Sequence, residues 1–282
     1  MKIFLITIIS LMLGVSTQAA DATTWLEPTE TTATAVRRDT IRDSSNDRNI
    51  ILAALKGWQV AVGAGLEMGG ASPVPIPRSI RKINSFNPLL NLYLEGTAYK
   101  SFTPRWGMAL GLRFETKGMK TNANVKNYHM AIIEDDGGHM EGGWNGPVIT
   151  KYRATYITVP VLATYTFSNP RWMVSAGPYF SLMLNGDFDG YVHDGYIRTP
   201  DELGENVNVT HATYDFSNNL RKFQWGLQVG GSFHAYKHLY VNANLDWGLN
   251  GIFPSDFKTI SFALYPIYGT LFMAAILSRD HM

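Results

Sequence analysis

The chain has 282 residues and a formal net charge of +1, and 17% of its residues are charged. A near-neutral chain without basic blocks argues against nucleic-acid binding, and a hydrophobic content of 45% excludes a broadly disordered chain. The chain has no cysteine, which excludes disulfides, thiolate metal sites, a cysteine nucleophile and a lipid anchor on cysteine. Its 26 glycines and 12% aromatic residues favour an all-β architecture.

The first 20 residues have the pattern of a secretory signal peptide. Lys2 precedes an apolar run over 3–15, and small residues follow at 16–20. The run is shorter than the about 20 residues that a spanning helix needs, which disfavours an N-terminal membrane anchor. We expect residues 1–20 to be removed on export. Residues 21–55 are rich in Thr, Asp and Arg, and we expect a flexible periplasmic leader, with a partner-binding arm as the alternative.

From residue 58 onward, apolar and polar residues alternate with a period of two, which indicates β-strands. In the clearest segment, Trp106, Leu110 and Phe114 share one parity, whereas Arg113 and Lys117 share the other. The pattern predicts eight strands, at about 58–68, 89–100, 106–117, 155–167, 172–185, 223–233, 241–249 and 264–278.

The composition of the two strand faces indicates which of them is inside. The polar face is dominated by Gly, Ala, Ser, Asn and Gln, whereas strands of a soluble protein normally turn Lys, Glu and Thr outward. The apolar face carries aromatic residues near the segment ends, as the girdles of a transmembrane barrel require. We therefore expect an eight-stranded antiparallel up-and-down transmembrane β-barrel over residues 56–282, with the apolar face toward lipid.

The connections between the predicted strands alternate between short and long. Short links at 102–105, 168–171 and 235–238 alternate with long ones at 70–87, 119–152, 186–220 and 251–262. Outer-membrane barrels have this arrangement, with short periplasmic turns and long external loops. Two short links share the sequence Pro-Arg-Trp, at 104–106 and 170–172, where Pro fixes the turn and Trp favours the membrane interface.

The uncharged segment 259–278 permits one alternative, a membrane-spanning helix. Pro266 and Gly269 interrupt that segment, and its Ile, Phe and Tyr residues favour a strand.

Three segments resemble the PorT-like outer-membrane β-barrel family of Gram-negative bacteria. They are TYITVPVLATYTF (155–167), SAGPYFSLMLNG (175–186) and FQWGLQVGGSF (223–233), and the likeness covers about 56–278. The resemblance implies a barrel in the cell outer membrane, in contact with lipid and lipopolysaccharide, and some relatives serve in protein secretion. The chain ends in Ser-Arg-Asp-His-Met instead of the terminal aromatic residue common in outer-membrane strands.

An eight-stranded barrel is just wide enough to be filled by side chains. Inward charges must therefore pair and hydrogen-bond with one another, which forms a plug and disfavours the alternative of a solute channel. The residues expected to point inward are Gln59, Glu67, Glu95, Arg113, Glu115, Lys117, Gln224, Gln228, Asn242, Asn244 and Asp246.

The long connections contain three weaker signals. In the acidic connection 186–220, Asn185, Asp187, Asp189 and Gly190 imitate the start of a calcium loop, but Tyr196 stands where that motif requires Glu. In connection 119–152, glycines suggest a mobile loop. Its apolar side chains suggest that it could bind a ligand or partner; they are Met130, Ile132, Ile133, Met140 and Trp144.

Histidines in the expected external loops raise the alternative of an outer-membrane enzyme. They are His129, His139, His193 and His211. His193 and Asp194 are adjacent, and on a regular strand they would point to opposite faces, which makes them a poor catalytic pair. The sequence also contains no phosphate-binding Gly loop, zincin motif or nucleophile elbow.

The sequence therefore predicts a non-enzymatic outer-membrane barrel with no catalytic, cofactor or metal site. Its surface loops are expected to bind a partner or ligand, or the protein is an accessory to an envelope assembly or secretion machine. A small-solute channel and an enzyme acting through the external loops are the alternatives.

Overall fold

A computed structural model of the protein describes residues 57–134, 137–198, 206–257, 259–260 and 262–278. The expected signal peptide and leader lie outside these residues. The described ranges contain ten β-strands and one turn of 3-10 helix, Ser217–Asn219. The strands are β1 (Trp58–Pro73), β2 (Ile80–Pro88), β3 (Asn91–Ser101), β4 (Trp106–Glu134), β5 (His139–Thr166), β6 (Trp172–Arg198), β7 (Asn206–Asp215), β8 (Phe223–Tyr236), β9 (Leu239–Gly248) and β10 (Leu264–Ser278).

The strands pair in one antiparallel sheet that closes into a ring. β1 pairs with β3 on one side and with β10 on the other. The pairings continue from β3 through β4, β5, β6, β8 and β9 to β10. β2 pairs with the middle of β4, and β7 pairs with the second half of β6 and with the end of β4.

Every segment that the alternation predicted to be a strand lies within one of these strands, to within two residues at an overhanging end, and 264–278 is a strand rather than a spanning helix. The assignment of long loops was wrong for three of the four long connections, whereas the described residues of 251–262 contain no strand. β2 and β7 lie in two of those connections, and β4, β5 and β6 extend into them with lengths of 29, 28 and 27 residues. A tilted strand needs only about 9–11 residues to cross a bilayer, so these three strands continue well beyond one.

The two faces of the ring have the inverse of the polarity of a water-soluble protein. Leu227 and Trp247 are 51% and 49% exposed, whereas the alternate residues Gln228 and Asp246 are each 1% exposed. The same inversion holds on β4, where Phe114 is exposed. Apolar side chains thus cover the outside of the ring and polar side chains fill it, which is favourable in hydrocarbon rather than in water.

The two Pro-Arg-Trp links form similar turns. The Trp106 amide donates to Thr103 Oγ1 at 2.9 Å, and the Trp172 amide donates to the Asn169 carbonyl at 3.1 Å. The exposed apolar side chains on the outside of the ring, such as Phe114, Leu227 and Trp247, form a band that we call the apolar belt. Both turn tryptophans are more than half exposed, at one end of this belt. This position supports the interfacial role expected from the sequence.

The central proline of the segment 155–167 has a steric partner on the neighbouring strand. A Cβ atom at Gly111 would approach Pro160 Cγ to 2.8 Å, so the proline ring lies against β4 where β4 has no side chain. The backbone of β5 therefore accommodates Pro160 without displacing β4.

Candidate functional site

The interior of the ring is organised around Arg113 on β4. Its Nε donates to Glu95 at 3.0 Å, and its Nη1 donates to Glu115 at 3.2 Å and to Asp246 at 2.7 Å. Its Nη2 donates to Gln228 at 2.7 Å. One guanidinium therefore joins β3, β4, β8 and β9, and its side chain is fully buried. The carboxylate of Glu95 also accepts hydrogen bonds from Tyr93 and Thr97.

Lys117 forms a second centre, two residues farther along β4. Its Nζ lies 2.9 Å from Glu115 Oε1 and 4.0 Å from Glu67 Oε1. The ammonium also lies 5.3–5.5 Å from the ring centroids of Tyr156, Tyr179 and Tyr268, within the range of cation–π attraction. The aromatic rings and the carboxylates together replace the water that the ammonium loses on burial.

Glu67, Glu115 and Asp246 are close enough to offer three ligand atoms to one metal ion, all within 4.8 Å of one another. The Arg113 guanidinium and the Lys117 ammonium already pair with carboxylates of this group, and both cations would repel a metal ion there. The arrangement is therefore an ion-pair network. Glu67 is its least satisfied member, because neither of its carboxylate oxygens has a hydrogen-bond partner among the described residues.

The predicted inward residues lie largely where they were expected. Asn244 is half-buried, and Gln59 is exposed at the end of the ring near the short turns. The remaining nine are buried, and they are Glu67, Glu95, Arg113, Glu115, Lys117, Gln224, Gln228, Asn242 and Asp246. A cavity of about 10 Å³ remains beside Glu95 and Gln228, which is scarcely room for one water molecule.

The sequence analysis missed the aromatic and hydroxyl part of this network. Thr158 donates to Glu115 at 2.8 Å and contacts Ser181 Oγ at 2.7 Å. Tyr156 and Thr158 are two residues apart on β5 and therefore lie on the same face of the strand. Assigning the inward face of β5 from the sequence, as for β4, would have identified both as inward residues.

Beyond the apolar belt, the sheet continues as a second structure that we call the cap. It consists of β2, β7, the parts of β4 (118–134), β5 (139–154) and β6 (186–198) that extend past the belt, and residues 251–257, 259–260 and 262–264. Its described residues form a hydrophobic core of their own, which includes Trp144, Ile197, Val192 and Ile252, all fully buried.

The cap overturns the expectation of a mobile loop with adhesive apolar patches at 119–152. Met130, Ile132 and Trp144 are buried in its core, and Met140 packs against the core. Ile133 is the one member of the predicted patch that is exposed, at 37%. These side chains stabilise the cap, because they pack against one another and are not free for a partner.

The segment that resembled a calcium loop is part of a regular strand. Asp187 lies opposite Arg153, and Asp189 lies opposite Lys151, across the β5–β6 ladder. Opposite charges at such positions stabilise a strand pair by about 0.2–1 kcal/mol. The extended backbone over 185–190 differs from the turn of a calcium loop, which wraps its ligands around one point.

His193 and Asp194 do contact each other, contrary to the expectation from strand alternation. His193 Nδ1 lies 2.9 Å from Asp194 Oδ2. Asp194 has φ of 48°, which interrupts the extended backbone and turns its side chain toward its neighbour. His193 also lies opposite His211 on β7. His129 lies elsewhere in the cap, with Nδ1 3.3 Å from the Thr259 carbonyl.

Two neighbouring side chains at the end of β7, Tyr214 and Asp215, have pKa values shifted in opposite directions by their surroundings. Burial raises the pKa of the Tyr214 hydroxyl well above its usual range, and this hydroxyl donates to the Ile149 carbonyl at 3.0 Å. Hydrogen bonds from the hydroxyl and amide of Ser217 lower the pKa of Asp215, which is exposed. Tyr214 thus stays neutral in the core, and Asp215 stays charged at the turn.

Within the described part of the chain, none of the helical structure is long and apolar enough to cross a membrane.

Comparison with known proteins identifies the family. The family described as outer membrane protein beta-barrel domain matches residues 43–254. No curated protein sequence matches the chain significantly. Among solved structures, the attachment invasion locus protein Ail of Yersinia pestis is similar at 8% identity and a TM-score of 0.34, over 78% of this chain and 97% of that one. Neisserial surface protein A is similar at 12% identity and a TM-score of 0.30, over 78% and 97%. The chain belongs to the outer membrane protein beta-barrel domain family and is a protein of the outer membrane.

Proposed function

We propose that this protein is a closed, non-enzymatic outer-membrane barrel that presents its cap at the cell surface for binding. Eight strands, β1, β3, β4, β5, β6, β8, β9 and β10, form the membrane-spanning barrel, and β2 and β7 belong to the cap. The closed series of pairings and the exposed apolar belt support this division. Residues 1–20 are the signal peptide in this proposal, and 21–55 are a periplasmic leader.

The observation that carries the proposal is the contrast between the two parts of the sheet. The buried network around Arg113 and Lys117 fills the barrel interior, which supports a closed barrel without a solute path. The cap, in contrast, has a hydrophobic core that keeps it ordered outside the membrane. An ordered surface on a closed barrel suits recognition better than transport.

The proposed orientation can be tested cleanly because the chain has no cysteine. Lys126→Cys places a single thiol in the cap, and Lys237→Cys places one in a short turn; both positions are exposed. A membrane-impermeant maleimide should label the first variant on intact cells and the second only after permeabilisation. The reverse result would contradict the orientation.

Closure of the barrel requires a separate measurement. Purified protein in a planar bilayer should produce no stepwise conductance, whereas a stable open channel would contradict the proposal and favour a solute conduit.

The resemblance to PorT-like barrels makes an accessory role beside a secretion machine the alternative form of the binding function. Chemical cross-linking in intact cells would identify such a partner.

A further inference from the structure

A seam opens in the wall of the sheet where the cap begins. β1 pairs with β3 as far as Glu67 opposite Asn91, but with β10 as far as Pro73 opposite Leu264. β2 pairs with β4 along one edge. In the pairings among described residues, the stretch 68–73 therefore pairs with β10 alone and has no strand on its other edge, and the second edge of β2 is likewise unpaired.

An apolar pocket of about 390 Å³ lies behind this seam. Its volume falls within the usual range for small-molecule sites, about 300–1,000 Å³. Its inner wall is part of the cap core and includes Met119, Val125, Val148 and Phe188. The polar groups in its lining are few, and they include the hydroxyls of Thr121 and Thr150. Such a lining favours a hydrocarbon ligand.

The mouth of the pocket is continuous with the lipid-facing surface. Met68, 58% exposed, immediately precedes the pocket residues Gly69 and Gly70 on β1. On the other side of the seam, Phe86 lines the pocket and is itself half exposed, and Leu90 is 77% exposed. An alkyl chain could therefore pass from the bilayer into the pocket without crossing water.

The charge around the seam indicates which kind of lipid would supply this alkyl chain. Between Glu67 and Glu95 the sequence contains three basic residues, Arg78, Arg81 and Lys82, and no acidic residue. All three are exposed, two of them on β2. Basic side chains at a membrane surface attract anionic headgroups. This combination matches a phosphate-bearing lipid, with its headgroup at β2 and one chain inside the pocket.

We propose that the pocket holds one acyl chain of an anionic membrane lipid, which enters laterally between β1 and β2. This inference rests on the proposed placement of the barrel in the membrane. The bound chain would fill the space between the barrel and the cap core, and the protein would thereby recognise a lipid of its own membrane.

The test uses the full mature chain in nanodiscs of phosphatidylglycerol that carries a photoreactive diazirine at the end of one acyl chain. After illumination, adducts are mapped by mass spectrometry. We expect them on Met119 and Val148, which are 5% and 6% exposed, as well as on the lipid-facing residues Leu271 and Met273.

Two substitutions reduce the space in the pocket. Ala123→Leu and Thr121→Leu add side-chain volume to the lining, and both should remove the adducts on Met119 and Val148 while those on Leu271 and Met273 persist. Ala64→Leu is the matched control, because Ala64 is an exposed residue of β1 outside the pocket, and it should leave all adducts unchanged. Heat-modifiable gel mobility confirms that each variant is folded.

The contrary outcomes are separable. Labelling of Leu271 and Met273 without labelling of Met119 and Val148 would overturn the lipid site and leave the barrel placement intact. Absence of label on Leu271 and Met273 would overturn the barrel placement itself. Labelling of Met119 by a free photoreactive fatty acid but not by the phospholipid would overturn the membrane lipid as the source of the chain.

Discussion

Arg113 donates a hydrogen bond to Asp246 at 2.7 Å although the two residues are 133 positions apart in the sequence. Arg113 lies on β4 and Asp246 on β9, and these strands do not pair with each other. The bond therefore crosses the interior of the ring. Closure of the sheet and burial of the charge are thus coupled, because Asp246 and Gln228 reach Arg113 only when the ring is complete.

This coupling predicts a large effect of removing the guanidinium. We expect Arg113→Leu to lower the free energy of unfolding by about 3–5 kcal/mol, since buried carboxylates on β3 and β9 would lose their cation. Urea unfolding in detergent micelles, followed by tryptophan fluorescence, measures the change. Arg105→Leu, in an exposed turn, is the control and should leave the midpoint nearly unchanged. Equal midpoints for the two variants would disprove a structural role for the network.

In contrast to Arg113, replacement of Glu67 is expected to raise the free energy of unfolding. Its carboxylate is buried with no hydrogen-bond partner among the described residues and only a 4.0 Å contact with Lys117. Glu67→Gln removes a poorly compensated charge and should stabilise the protein by about 1–3 kcal/mol. Glu115→Gln, which disturbs contacts with Arg113, Lys117 and Thr158, should destabilise it. The same urea titration measures both variants, and a loss of stability in Glu67→Gln would contradict this account.

Trp144 is predicted to determine the stability of the cap. It is fully buried, and its Nε1 donates to the Pro147 carbonyl at 3.3 Å. Trp144→Ala should cost the cap about 3–5 kcal/mol through the cavity that it leaves. Hydrogen exchange should then accelerate over 118–134 and 186–198 but not over β8 and β9. Ile133→Ala changes an exposed side chain of the same region and serves as the reference; uniform acceleration throughout the sheet would show that cap and barrel unfold together.

The histidines of the cap are predicted to have no catalytic role. The His193–Asp194 pair lies on the surface, and substitutions at such positions usually change stability by less than about 0.5 kcal/mol. Replacing His129, His139, His193 and His211 together with Ala should leave the lipid A profile and the surface protease activity of the cells unchanged. Loss of either activity would restore the enzyme hypothesis.

Calcium is predicted to have no effect on the cap. Asp187 and Asp189 face basic residues across a strand ladder, and their backbone is extended. The melting temperature of the purified protein should therefore be the same in excess calcium and in chelator. An increase in calcium that disappears in Asp189→Asn would contradict the strand interpretation of this segment.

The sequence was sufficient to identify the strands of the ring and the charged residues inside it, although not the inward Tyr156 and Thr158 of β5. Apolar and polar residues alternate along β4, β8 and β9, so the parity of one residue fixes the face of all the others on that strand. The two added strands had weaker signals. In β2, Ile80, Ile83 and Phe86 are three residues apart, and two register irregularities in its pairing with β4 account for that spacing. β7 alternates at Val207 and Val209, but it is short and lies in a segment dominated by acidic residues.

The polarity of each face follows from side-chain chemistry alone, and it therefore determined by itself that the ring is surrounded by lipid. The partners of a buried charge depend on which strands face each other across the interior. Only the closed ring shows this arrangement, as in the contact between Arg113 and Asp246. The cap was likewise decided by tertiary structure. Met130, Ile132 and Trp144 are apolar in either case, and only their packing shows that they form a core rather than a binding surface.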